Sequence, residues 1–193
     1  MGVNTPKYLI IHTTDYPYSK MQDQFKACDG WHKERQFPKS SKGLYIGYHY
    51  LFTGGREYIC REDSEEGAHC NTQVNGQSMN FQSIGLAVGF DGDIEYMPPV
   101  EYTLLQKRVW ALQDKYKIPN DRVKYHRDFT PSKTCPGSLI DSKWLVQLLQ
   151  RPIVVVDKPV EKMCIAEEKE IVVLKERVKW YEDIFNWIAQ NFS

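Results

Sequence analysis

The chain has 193 residues, 41% hydrophobic and 13% aromatic, enough for one substantial core and a smaller appendage. Lys plus Arg equals Asp plus Glu at 25 each, so there is no basic excess to attract nucleic acid and no acidic tail, and global charge says little about partners. No apolar run approaches the length of a membrane span, and Met1-Gly2-Val3-Asn4-Thr5-Pro6-Lys7 lacks the charged start and apolar core of a signal peptide.

Tyr8 to Ile11 is a short apolar run with β-branched residues and predicts a buried strand ending at His12. Ser19 to Gln36 has helical character interrupted at Asp29-Gly30, which allows two pieces or one kinked helix. Tyr45 to Phe52 predicts a strand, Thr53-Gly54-Gly55 a turn, and Arg56 to Arg61 the return strand of a hairpin. Ser83 to Phe90 is a further apolar strand, stopped by Asp91-Gly92-Asp93. Thr103 to Lys117 carries Leu104, Leu105, Val109, Leu112 and Tyr116 at helical spacing, with Thr103 as N-cap and Pro119 as stop. Val123 to His126 predicts a short strand, and Ser138 to Gln150 a helix bearing Leu139, Leu145, Val146, Leu148 and Leu149. This alternation predicts an α/β fold: a central mixed β-sheet flanked by helices.

After Gln150 the composition changes. Pro152 and Pro159 flank Ile153-Val154-Val155-Val156, and charge dominates from Glu161 to Glu170. Beyond lies an apolar stripe, Ile171, Leu174, Val178, Tyr181, Phe185, Ile188 and Phe192, an a/d seam of about three heptads. Val173, Trp180 and Trp187 widen its apolar arc past what a two-stranded coiled coil needs. The expected organisation is a domain over 1–150, a linker over 151–164 and an appended C-terminal amphipathic helix over 165–193. That helix either docks on the body of the protein or joins copies into a homo-oligomer through residues 171–192.

Cys28, Cys60, Cys70, Cys135 and Cys164 form neither an even, dense framework nor a CxxC pair, so free thiols are expected. Cys28, Cys60 and Cys70 read as inert buried residues, whereas Cys135, between Lys133-Thr134 and Pro136-Gly137, has the setting of an exposed loop. His12, His126 and Cys135 would offer zinc two imidazoles and a thiolate. Three protein ligands leave the fourth tetrahedral position to water or substrate, the arrangement of a catalytic site, so hydrolysis is the first reaction to consider. Strand alternation turns His49 away from Tyr48 and into the core. His32 reads as a helix-surface residue, and Gly67-Ala68-His69-Cys70 as a loop.

Six segments occur in a fixed order: Ile10-Ile11-His12-Thr13-Thr14, Trp31-His32-Lys33-Glu34, Gly47-Tyr48-His49-Tyr50, Gly67-Ala68-His69, Ser83-Ile84-Gly85-Leu86, and His126 with Lys133-Thr134-Cys135-Pro136. Together they resemble the zinc-dependent N-acetylmuramoyl-L-alanine amidases of type 2, the branch of phage lysozyme-type amidases and animal peptidoglycan recognition proteins. The resemblance covers about Lys7 to Gln150. It implies Zn2+ as cofactor with His12, His126 and Cys135 as ligands, and Tyr48 and Lys133 as catalytic groups. It also implies His69, His32, Trp31 and Thr13 as groups along the substrate groove. A sister branch carries a Glu in the strand after Ser-Ile-Gly and an Asp ligand. Ala87 and Cys135 stand at those positions here, which shifts the proton chemistry to Tyr48 and water.

The implied reaction is hydrolysis of the amide between N-acetylmuramic acid and L-alanine in bacterial peptidoglycan. An enzyme of this kind without an export signal waits in the host cytoplasm until lysis, which points to a phage endolysin, a bacteriolytic enzyme. The same residues also allow a non-catalytic peptidoglycan-binding module, although such modules typically lose the Cys ligand. They allow a cytoplasmic amidase of recycled muropeptides too, or a regulator that binds another protein through the C-terminal helix.

Overall fold

The computed structural model describes residues 3–20 and 23–152. The expected C-terminal helix, and the linker from residue 153 onward, lie outside the described residues. In chain order the elements are β1 (Tyr8–Thr13), α1 (Gln24–Glu34), β2 (Tyr50–Thr53), β3 (Arg56–Ile59), β4 (Gln73–Val74), β5 (Gln77–Ser78), β6 (Ser83–Val88), α2 (Pro99–Tyr116), β7 (Val123–Tyr125) and α3 (Ser142–Leu149). Five strands form one mixed sheet in the order β3-β2-β6-β1-β7, parallel from β2 to β7 with β3 antiparallel at the edge. β1 is buried from Leu9 to Thr13 and β6 throughout, as continuous apolar strands covered on both faces should be. No helix among the described residues is long and apolar enough to cross a membrane.

Strand alternation and register sort side chains between two faces. Leu9, Ile11, Tyr50, Phe52, Ile84, Leu86, Val123 and Tyr125 join Leu105, Val109 and Leu112 of α2 and Leu148 of α3 in the main core. Ile10, His12, Leu51, Gly85 and Ala87 take the other face. There Leu51 and Ala87 pack on Cys28 of α1 and on Ile46, while Ile10 packs on Cys70 and Met79.

Several boundaries differ from the sequence expectation, each for a local reason. α1 is a single helix that runs through Asp29-Gly30; Asp23 caps it by accepting from the Lys26 N–H. The Asp29 carboxylate accepts from the N–H groups of Tyr45 and Ile46, and His32 Nδ1 from that of Gly47. Those bonds claim the donors a strand would use, so β2 begins only at Tyr50. α2 starts at Pro99, one turn before Thr103, because Pro brings a preset φ to a position that needs no donor. The Thr103 hydroxyl donates to the Pro99 carbonyl instead of capping. α3 starts at Ser142 with Asp141 as its cap, accepting from the Trp144 N–H. β4 and β5 form a hairpin that the sequence pattern does not predict; Asn75 and Gly76 hold φ of 52° and 75°, the positive pair of a type I′ turn.

Candidate metal centre

The carboxyl end of β1 presents His12, and the adjacent parallel β7 leads straight to His126. Ligand sites of open α/β sheets gather at such ends. His126 has left the strand: His126–Asp128 form a 3-10 turn, held by the Asp128 carboxylate accepting from the Tyr125 N–H. Cys135 arrives from the loop that follows. One ligand atom from each of His12, His126 and Cys135 lies within 4.8 Å of the other two. Cys135 Sγ is 3.8 Å from His12 Nδ1, and the two imidazole centroids are 4.5 Å apart.

The Cys135 loop is fixed from two sides. Arg127 donates its N–H to the Cys135 carbonyl and its guanidinium to the carbonyls of Thr134, Gly137 and Ile140. Asp93 accepts from the Thr134 hydroxyl and the Ser138 N–H. Backbone lies directly on backbone here: a Cβ on Gly92 would come within 1.9 Å of the Pro136 oxygen, and Gly137 holds φ of 115° against Gly92. Glycine is the residue that permits both. By sequence Asp91-Gly92-Asp93 is only a strand stop; neither its support of this loop nor that of Arg127 is visible there.

Electrostatics prepare the donors. Burial, then the neighbouring His69, His126 and His32, hold His12 well below the ordinary imidazole value. Burial and the Lys133 charge push His126 down to about 4. Both imidazoles are therefore neutral near pH 7, with lone pairs available. Burial pushes the Cys135 thiol up to about 11, against the pull of the Thr13 N–H and hydroxyl. A thiolate at this site therefore calls for a cation beside it. Two neutral imidazoles and one sulfur, dry and convergent, fit a three-ligand zinc ion with an open fourth position.

The Tyr48 ring lies 5.0 Å from that of His12 and 5.3 Å from that of His32. Burial, then Cys28 and Cys135, hold its phenol well above the ordinary value, so Tyr48 keeps its proton. Lys133 is exposed on the turn before Cys135. Ala87 pairs with His12 in the parallel register, an apolar residue beside the first ligand.

The other expected residues divide. His69 is only 8% exposed, and its Nδ1 sits 3.1 Å from His12 Nε2. Thr13 is buried and pulls the Cys135 thiol down. His32, expected on the helix surface, is buried between Phe37 and Tyr48, where its Nδ1 orders Gly47. Trp31 is half-buried beside Tyr16, rings 5.6 Å apart. His49 is in the core as expected, accepting from the Gly85 N–H at Nδ1 and reaching the Glu65 carbonyl through Nε2. Cys28, Cys60 and Cys70 are free and buried.

A family model described as N-acetylmuramoyl-L-alanine amidase matches residues 2–138. Among solved structures, the chain is similar to the N-acetylmuramoyl-L-alanine amidase LysC from Clostridium intestinale, with TM-score 0.60 and 24% identity over 76% of this chain and 89% of that one. It is similar to the endolysine N-acetylmuramoyl-L-alanine amidase LysCS from the same organism, with TM-score 0.56 and 26% identity over 72% and 81%. A third, the Ph2119 endolysin from a bacteriophage of Thermus scotoductus, aligns with TM-score 0.57 and 21% identity over 77% and 87%. No curated protein sequence matches the chain.

Proposed function

This chain belongs to the N-acetylmuramoyl-L-alanine amidase family and is an enzyme of that activity; we propose beyond this that it works with zinc on His12, His126 and Cys135, as a phage endolysin. The observation that carries the zinc reading is the convergence of three donors from distant chain segments within 4.8 Å at the carboxyl ends of β1 and β7. The likeness to the LysCS endolysine, at 26% identity, supports the endolysin role.

His12 and His126 serve as neutral donors and Cys135 as a thiolate, which would leave the centre with a net positive charge. Zinc held there would supply Lewis acidity and lower the pKa of a water to about 7. The reaction adds the water oxygen to the carbonyl carbon of the muramic acid lactyl group, breaks the C–N bond and leaves a proton on the L-alanine nitrogen. Tyr48, held as a phenol beside His12, orients the attacking water or passes a proton toward the departing amine. Negative charge develops on the carbonyl oxygen only at the tetrahedral stage, and Lys133 is the cation assigned to offset it.

The test is metal content of the purified protein together with turbidity clearing of purified cell walls, with chelator and after zinc readdition. We expect one zinc per chain, loss of clearing with chelator, and new free L-alanine amino groups as the product. Folded Cys135→Ser that clears walls at the full rate would refute the zinc assignment. An enzyme that spares intact sacculi but cleaves soluble muropeptides would favour the recycling role over the endolysin.

A further inference from the structure

His69 touches a metal ligand yet has no part in the chemistry above. Its ring meets that of His12 edge-on with centroids 5.0 Å apart, and Nδ1 lies 3.1 Å from His12 Nε2. The ring fills a slot between two glycines: a Cβ on Gly67 or on Gly85 would come within 2.5 Å or 2.6 Å of His69 Cδ2. The N–H groups of His69 and Cys70 both donate to the Asn80 side-chain oxygen, which pins the backbone below the ring. Ring position is therefore set by packing from three directions.

Resting on the zinc reading, we propose that His69 is a positioning residue whose Nδ1 lone pair accepts the His12 Nε2–H and so fixes His12 in its metal-ready tautomer. A neutral imidazole carries one N–H. His12 Nδ1 faces Cys135 Sγ at 3.8 Å, and His12 Nε2 faces His69 Nδ1. A proton on His12 Nδ1 would block the side that faces the other ligands. A proton on Nε2 is donated to His69 and leaves Nδ1 free.

Acceptance at Nδ1 requires the proton of His69 to sit on its own Nε2. That atom is buried without a hydrogen-bond partner among the described residues. The glycine slot, with Gly67 and Gly85 on either side of the ring, aims Nδ1 at His12. Metal-bound histidines commonly donate their second N–H to an outer acceptor. An imidazole in that role adds no negative charge, so a Cys-ligated centre keeps its electrophilicity. The same burial speaks against His69 as a substrate contact.

The experiment compares zinc affinity, by competition with a chromophoric chelator, in full-length wild type, His69→Leu and His69→Gln. Gln keeps an acceptor near the site and Leu does not. We expect His69→Leu to weaken zinc about 10- to 100-fold, the usual cost of a lost outer partner, and His69→Gln to recover most of it. Unchanged affinity in His69→Leu, or equal weakening in both variants, overturns the proposal. Should the variants fail to fold, nitrogen NMR of the zinc-loaded wild type decides: His69 protonated on Nε2 and bare on Nδ1 supports it, and the reverse overturns it. Failure of the zinc reading itself has a separate signature, namely wild type and Cys135→Ser binding zinc equally weakly.

Discussion

The two faces of the sheet are built on different terms. Under α2 and α3 the core is mainly apolar, with Glu101 and Gln113 of α2 as buried polar exceptions, and area removed from water holds it. The opposite face sets His12, His32, His49 and His69, buried and hydrogen-bonded, beside two smaller apolar clusters. All five histidines are held below their ordinary value, in each case with burial as the largest cause. A layer of neutral imidazoles is a poor way to stabilise a fold and a good way to present lone pairs. The helical layer thus carries stability without chemistry, and a substitution there should spare zinc binding and catalysis.

The sharpest way to break that division is a pair of truncations. Leu86 is fully buried on the helical face of β6. Leu86→Ala should cost about 2–5 kcal/mol of stability, read from urea unfolding, with kcat of the folded fraction unchanged. Lys133→Ala should do the opposite: kcat falls about 10²- to 10³-fold for a lost oxyanion partner, while Tm stays put because the side chain is exposed. If each variant lost both properties in parallel, the division would be wrong.

Acid should separate the faces as well. His49 is fully buried and pushed down to about 4, chiefly by burial. The unfolded chain takes up its proton near pH 6.5 and the folded chain only near 4, so stability is lost as pH falls through that window, by about 3 kcal/mol for this group. On the helical side, burial alone would push the Asp63 carboxyl up, but hydrogen bonds from Lys115, Tyr50 and Tyr116 outweigh it and hold the group low. Its contribution is present above the ordinary carboxylate range and disappears only at lower pH. Urea midpoints of the metal-free protein should therefore fall first below pH 6.5 and again in the carboxylate range. A flat profile between pH 6.5 and 4.5 would contradict the histidine face.

A smaller probe acts through one atom. In Gly85→Ala the new Cβ meets the His69 ring at 2.6 Å, with ring carbons rather than a flexible chain end in the way. We expect a loss of about 1–3 kcal/mol of stability, the usual cost of overpacking. Zinc should bind more weakly as well, because the displaced ring no longer meets His12. Overpacking confined to the helical face should leave zinc affinity alone, which is the control.

The helical face is legible in the sequence because its rules are periodic. Leu105, Val109 and Leu112 repeat at helical spacing, and β1 and β6 are continuous apolar runs. The convergence of His12, His126 and Cys135 is partly legible, because His12 and His126 stand at the ends of β1 and β7 and Cys135 in the loop that follows. What escapes is held by bonds between residues far apart in sequence. Asp29 taking the Tyr45 and Ile46 donors shortens β2, and no local pattern announces it. Arg61, buried with its guanidinium on the carbonyls of Pro38, Ile46 and Glu66, is the same kind of case. The hairpin at Asn75-Gly76 is different: the dipeptide is a readable signal that lacks long flanking strands. The roles of Thr13 and His69 escape because family position gives a residue's neighbourhood but not the direction its lone pairs and protons point.

Thr13 offers the finest test of that last distinction. Resemblance places it beside the substrate groove, yet its N–H and its hydroxyl both pull the Cys135 thiol down. Thr13→Val keeps the backbone donor and nearly the same shape, and removes one hydrogen bond to a charged sulfur. Such a bond contributes about 1.5–3 kcal/mol when fully developed, so zinc affinity in chelator competition should fall by roughly tenfold or somewhat more. The Michaelis constant on cell wall, measured with zinc in excess, should barely move. A groove residue would show the reverse: zinc unaffected and KM raised. Because the substitution alters only one hydroxyl at the end of β1, Tm of the metal-free protein should also hold steady, and a drop there would mean that Thr13 supports the fold as well as the metal.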